Sequence, residues 1–335
     1  MSQRPENTTI DLSCLGRAPT AQDLVASLDE FGIALFTLMT VMTGIADLVF
    51  LEEIFYIYNK LPSSKRAILM WINGAGPLIA STSCIGMWVP RATMFTDFTA
   101  AVYFAIVIHK FLLMMIKECG GQNAFLRHFG NDEFKVSTGP CCCCCLCLPT
   151  MRVTRQTLFV LKWGTFQFAF LRPLFMFITI VLWTNGNYRP SNMSPSDAGL
   201  WISIINGILT ITAIWSVGIM FNHVRSILVT KRIIAKFALY QIALIISQLQ
   251  PAIINMIATG GAIPCAPPLP ASTRGSYINE QLLILEMFVL TILSRFFYRR
   301  RYEDLHNVSI SADDCGVVRS RCNSSHDPEA AKMHI

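Results

Sequence analysis

Apolar residues run through this chain in seven long, nearly unbroken blocks separated by polar connections. The blocks cover residues 31–58, 67–89, 94–116, 158–183, 201–221, 237–258 and 282–298. A helix rises about 1.5 Å per residue and must cross roughly 30 Å of hydrocarbon, so about 20 apolar residues make one span. The pattern therefore predicts an all-α polytopic membrane protein with seven transmembrane helices, the seventh the shortest. Thr20 with Asp23 three positions later has the form of a capping box and predicts a short helix through Leu24, Val25 and Leu28 leading into span one. Residues 259–280, rich in Gly and Pro, read as an outer loop. Residues 1–30 lack an apolar core, so no secretory signal peptide is expected and the first span serves as its own insertion signal. The organisation expected is an extracellular segment at 1–30, a transmembrane domain at 31–302 with a cytosolic Cys-rich loop at 117–157, and a polar, disordered tail at 303–335.

Composition supports this pattern and adds an orientation. Hydrophobic residues make up 53% of the chain and charged residues only 14%, against about 25% charged in a soluble domain, which excludes that class. Of 27 Lys and Arg, 18 lie after spans one, three and five or in the tail, and five lie on the other side. The positive-inside rule then places the N-terminus outside and the C-terminus in the cytosol. Asn7-Thr-Thr and Asn192-Met-Ser fall on the outer side as glycosylation candidates, whereas Asn307 and Asn323 fall inside. Cys14 and Cys265 are the outer thiols that could pair, and free thiols are the alternative. The net charge of +6 follows one membrane face, not a patch suited to nucleic acid.

Six of the 12 cysteines fall within seven positions, as Cys141, Cys142, Cys143, Cys144, Cys145 and Cys147. Disulfides suit neither the reducing cytosol nor neighbouring residues. A contiguous run wraps a tetrahedral zinc ion badly, and a redox sensor needs one activated thiol, not six alike. S-acylation needs only thiols held at the inner leaflet, and each buried methylene contributes about 0.8 kcal/mol to the anchor. Metal binding and unmodified thiols remain the competing readings.

The run Ser137-Thr-Gly-Pro-Cys-Cys-Cys-Cys-Cys-Leu-Cys-Leu-Pro149 resembles the signature of the organic solute transporter alpha-subunit family. The likeness continues at Gln167-Phe-Ala-Phe, Ala235-Lys-Phe-Ala-Leu, Leu249-Gln-Pro, Leu283-Ile-Leu-Glu286 and Tyr298-Arg-Arg, covering roughly residues 45–302. It departs from the family pattern at Leu146 and Leu148, where further cysteines stand, and at Gln156-Thr157, where the pattern is more basic. The resemblance implies a facilitative, bidirectional carrier of bile acids, steroid conjugates and related amphipathic anions. It also implies a separate single-span beta subunit as partner, residence in the basolateral plasma membrane after transit through the endoplasmic reticulum, and no cofactor. A dimer of alpha chains stays open.

Ionisable groups at bilayer depth cost at least about 2.5 kcal/mol, so each needs a partner or a role. Arg172 lies 14 residues from Leu158, roughly 21 Å into span four. It either pairs structurally with Asp47 or Glu286 or meets the substrate's sulfate or carboxylate through its forked guanidinium. His109 beside Lys110 offers a second cationic group or a packed ring. Gln248, Gln250 and Asn255 around Pro251 in span six could bond steroid hydroxyls or neighbouring helices. Lys162, Lys110 and Arg295 lie near span ends and can snorkel. Gly74, Gly76 and Pro77 in span two, with Asn73 just before, read as a close-packing face or a hinge.

The rival classes are a seven-helix signalling receptor, a lipid-binding membrane protein and a membrane enzyme. Span three ends Met115-Ile-Lys-Glu-Cys119 without an acidic-Arg-aromatic triplet, and span seven lacks Asn-Pro-x-x-Tyr. No zinc-protease motif, nucleophile elbow or phosphate loop is present, so no enzyme activity and no metal are expected.

Overall fold

A computed structural model of the 335-residue chain describes residues 18–61, 63–136, 150–186, 198–228, 233–263 and 273–296. The six clustered cysteines, Asn7, Asn192, Cys14 and Cys265 lie outside the described residues. Helices run in the order α1 (Ala21–Ser27), α2 (Glu30–Lys60), α3 (Ser63–Asn73), α4 (Ala75–Trp88), α5 (Thr93–Glu118), α6 (Gln122–Phe129), α7 (Arg155–Thr184), α8 (Ala198–Leu228) and α9 (Ile233–Thr259). They end with α10 (Thr273–Phe296). Six stretches among the described residues are long and apolar enough to cross a membrane: Glu30–Lys60, Lys65–Trp88, Pro90–Glu118, Arg155–Thr184, Ala198–Arg225 and Thr273–Phe296. Within α9 the described apolar stretch is Leu249–Ala258.

The capping box forms as the sequence predicts. Thr20 Oγ1 donates to Asp23 at 2.6 Å, and the Asp23 amide returns a bond to Thr20. Those bonds hold the Asp23 carboxyl below its ordinary range. Asp29 then caps α2 by accepting from the Gly32 amide at 2.8 Å, so the first turn of each of these two helices is capped by a side chain.

One expectation needs correcting. Residues 259–280 are not loop throughout, because α10 begins at Thr273. Its first turns carry Arg274, Asn279 and Glu280, which lower the hydropathy. Yet Tyr277, Glu280, Leu283, Ile284, Met287 and Thr291 are buried at helical spacing, a stripe that continues across the polar residues. Tyr277 donates its hydroxyl to the Met87 carbonyl and stacks on Phe36, tying α10 to α4 and α2.

The bundle is organised around α5, whose Phe104, Ile108, Phe111, Leu112 and Met115 are buried between α3, α4, α7 and α8. Span two is broken at Gly74, and this is a close-packing face. A Cβ at Gly74 would lie 2.5 Å from the Tyr103 hydroxyl, and one at Gly76 would lie 2.5 Å from Thr291 Oγ1. Glycine at both positions lets α4 approach α5 and α10. Large apolar side chains face outward elsewhere: Leu48, Phe55, Phe159, Phe170, Phe177 and Met256 are all more than half exposed. In water such a surface would aggregate, and in a bilayer it faces acyl chains.

The loop after span three is structured on both sides of the cysteine run. Strands β1 (Glu133–Phe134) and β2 (Met151–Arg152) pair antiparallel. Trp215 of α8 donates to the Val136 carbonyl at 2.9 Å, and His223 lies 4.6 Å from the Phe129 ring and 4.7 Å from the Phe134 ring. The two ends of the Cys-bearing segment are therefore brought together and pinned against α8.

Candidate functional site

A cavity of about 230 Å³ opens among α4, α5, α7, α9 and α10. Its polar lining is Ser83, Asp97, Arg172, Ser247 and Asn279, and its apolar lining includes Phe98, Phe104, Met176 and Leu283. Five helices thus converge on the deep cation that the sequence singled out.

Arg172 lies in mid-helix, immediately before Pro173. Its guanidinium carbon lies 5.9 Å from the centre of the Phe168 ring. Its Nε is buried without a hydrogen-bond partner, and Arg172 forms no ion pair among the described residues. Neither carboxylate expected to pair with it does so. Asp47 accepts from Ser81 Oγ at 2.9 and 3.0 Å, joining α2 to α4. Glu286 accepts from Gln250 at 2.8 and 3.1 Å once the amide nitrogen is turned toward α10, joining α9 to α10.

The remaining sequence candidates scatter. His109 Nδ1 lies 2.9 Å from Thr165 Oγ1 and its ring meets Phe166 edge-on, so it fastens α5 to α7. Asn255 is on an exposed face of α9, and the side chain of Gln248 lies outside the described residues. Span six reaches the cavity through Ser247 and Pro251 instead. Lys162 donates to Gln122 at 2.7 Å and Arg295 pairs with Glu52 at 2.6 Å, so these two cations near span ends hold neighbouring helices.

Sequence reasoning missed the α10 wall. Asn279 is 6% exposed and Glu280 is 2% exposed; Asn279 lines the cavity, whereas the Glu280 carboxyl lies against Gly86 of α4. The signal available was the helical stripe from Tyr277 to Thr291, which places these polar groups on the same inward face as Leu283 and Met287.

These features define a multi-pass helical membrane protein with a small, partly charged cavity among its helices. The family model described as organic solute transporter Ostalpha matches residues 35–304, and the chain belongs to that family. It is 51% identical over 298 residues to a protein of Danio rerio named organic solute transporter subunit alpha, covering 89% of this chain and 91% of that one. The likeness to the protein of the same name from Leucoraja erinaceus is 41%, covering 88% and 84%, and to that from Homo sapiens 36%, covering 92% and 91%. No solved structure matches the chain. The family role is solute transport, not catalysis.

Proposed function

We propose that this chain is the alpha subunit of a facilitative, bidirectional carrier of bile acids, steroid conjugates and related amphipathic anions, working with a single-span beta subunit. The observation that carries this reading is Arg172, a guanidinium in mid-membrane that faces a cavity and has no carboxylate partner among the described residues. A cation so placed is costly unless an anion completes it, and sulfate or carboxylate matches its fork. The cavity is smaller than the roughly 300–1,000 Å³ that encloses a whole drug-sized ligand. It therefore takes the polar end while the apolar body lies between helices, toward lipid. A substrate that partitions into the leaflet can enter such a groove from the side.

In this reading α9 is a span like the other six, giving seven, with residues 1–30 outside, the helices within 31–302 and the tail 303–335 in the cytosol. Asn7 and Asn192 would carry glycans, and Cys14 and Cys265 are the outer thiols available to bridge. The carrier would work at the basolateral plasma membrane after transit through the endoplasmic reticulum. Asp47, Glu286, Gln250 and His109 serve by joining helices, and Gln248 and Asn255 of α9 remain candidates for the substrate's polar groups.

The test is uptake and efflux of labelled taurocholate or a steroid sulfate by liposomes holding the purified chain, with and without a single-span partner and without nucleotide. Saturable flux in both directions is expected, and flux no faster than that of empty liposomes overturns the carrier reading.

The cysteine run is proposed to be S-acylated. Trp215 and the β1–β2 pair pin both ends of its segment beside α8, on the face where the positive-inside rule puts the cytosol. Replacing all six cysteines with Ser should abolish incorporation of an alkyne fatty acid; unchanged labelling would show that the acyl chains, if any, are elsewhere.

A further inference from the structure

The wall opposite Arg172 has polar groups that capture of an anion does not use. Asn279 of α10 stands there with Ser83 of α4 and Asp97 of α5.

One acceptor on this wall, Asn279 Oδ1, lacks a partner among the described residues. Its side chain is more than nine-tenths buried, where an unmet acceptor is costly. The missing group is therefore a donor. It must also sit beside Phe98, Phe104 and Leu283, the apolar lining of the same cavity. A hydroxyl on an apolar ring system satisfies both conditions.

Position agrees with that occupant. Tyr277 of α10 meets Met87, and Trp183 of α7 meets Phe95, so these two levels share one membrane face. Asn279 lies two residues past Tyr277, roughly 3 Å along α10, and Arg172 lies eleven residues before Trp183, roughly 16 Å along α7. The two backbone positions are thus offset by about 13 Å in depth, with apolar lining between them. That spacing suits a rigid ring skeleton bearing an anion at one end and a hydroxyl at the other.

We infer that Asn279 is the centre of a hydroxyl-recognition subsite that selects among steroid anions whose charged end is held by Arg172. This rests on the carrier reading above.

The experiment compares uptake of two steroid sulfates that differ by one ring hydroxyl, in cells expressing the chain with its partner at equal surface level. The native protein should favour the hydroxylated compound by about three- to tenfold in KM, the worth of one hydrogen bond. Asn279→Leu should lose that preference while still carrying the deoxy compound. Asn279→Ala, which cannot overfill the site, should lose it as well. An unchanged ratio in both variants overturns the subsite and leaves the carrier reading intact. Failure of the native protein to carry either compound removes both. The same uptake is repeated with sodium replaced by choline. Native transport that requires sodium, with the requirement lost in Asn279→Leu, would assign the wall to a cation and overturn the hydroxyl assignment.

Discussion

Arg172→Ala should raise the KM for a sulfated steroid by roughly 10- to 100-fold at equal surface expression, because a hydrogen bond to a charged group contributes about 1.5–3 kcal/mol. The ligand itself would then sit in a cavity with no cation. Arg172→Lys should fall between the native protein and Arg172→Ala: it keeps the charge but presents a point donor where a fork is needed. The side chain makes no ion pair among the described residues, so neither variant should cost much folding stability. The measurement is initial uptake against substrate concentration for all three proteins. Native kinetics in both variants would remove Arg172 from the transport path, and equal loss in both would mean that the fork, not the charge, is what matters.

Gly76→Leu is expected to have the largest effect on stability. A Cβ there would meet Thr291 Oγ1 at 2.5 Å and the Met287 backbone carbonyl at 3.3 Å. Thr291 is buried and already donates to that same carbonyl at 2.7 Å, so it cannot rotate away without losing its own bond. The remaining relief is separation of α4 from α10, and overpacking of this kind costs about 1–3 kcal/mol. Gly44 is the matched control, since a Cβ added there would meet no atom within 4 Å. Gly44→Ala should therefore be neutral or stabilising by up to about 1 kcal/mol. Thermal unfolding of the detergent-solubilised protein, followed by retention of the monodisperse peak, checks the pair. Equal midpoints for Gly76→Leu and Gly44→Ala would mean that the α4–α10 contact is not close in solution.

The helices were legible along the chain because hydropathy is a local property. The Thr20–Asp23 cap and α2, α5 and α7 appear where their residues predict them. Arg172 could also be picked out in one dimension, since depth follows from residue count. The start of α10 could not be read that way: Arg274, Asn279 and Glu280 lower the average, and the stripe that buries two of them depends on what the opposing helices present. The partners of the buried polar groups were equally hidden. Asp47 meets Ser81, Glu286 meets Gln250 and His109 meets Thr165, whereas sequence alone offered Asp47 and Glu286 equally well to Arg172. Which acid meets which donor is decided by how closely helices approach and in what rotation. Contacts such as Gly76 against Thr291 set those approaches. The amino-acid order determined that the chain would fill a membrane with helices and carry a cation deep inside. Only the packing of those helices decided that the cation would be left without an acid and face a cavity, because pairing distances of about 3 Å are fixed between helices and not along them.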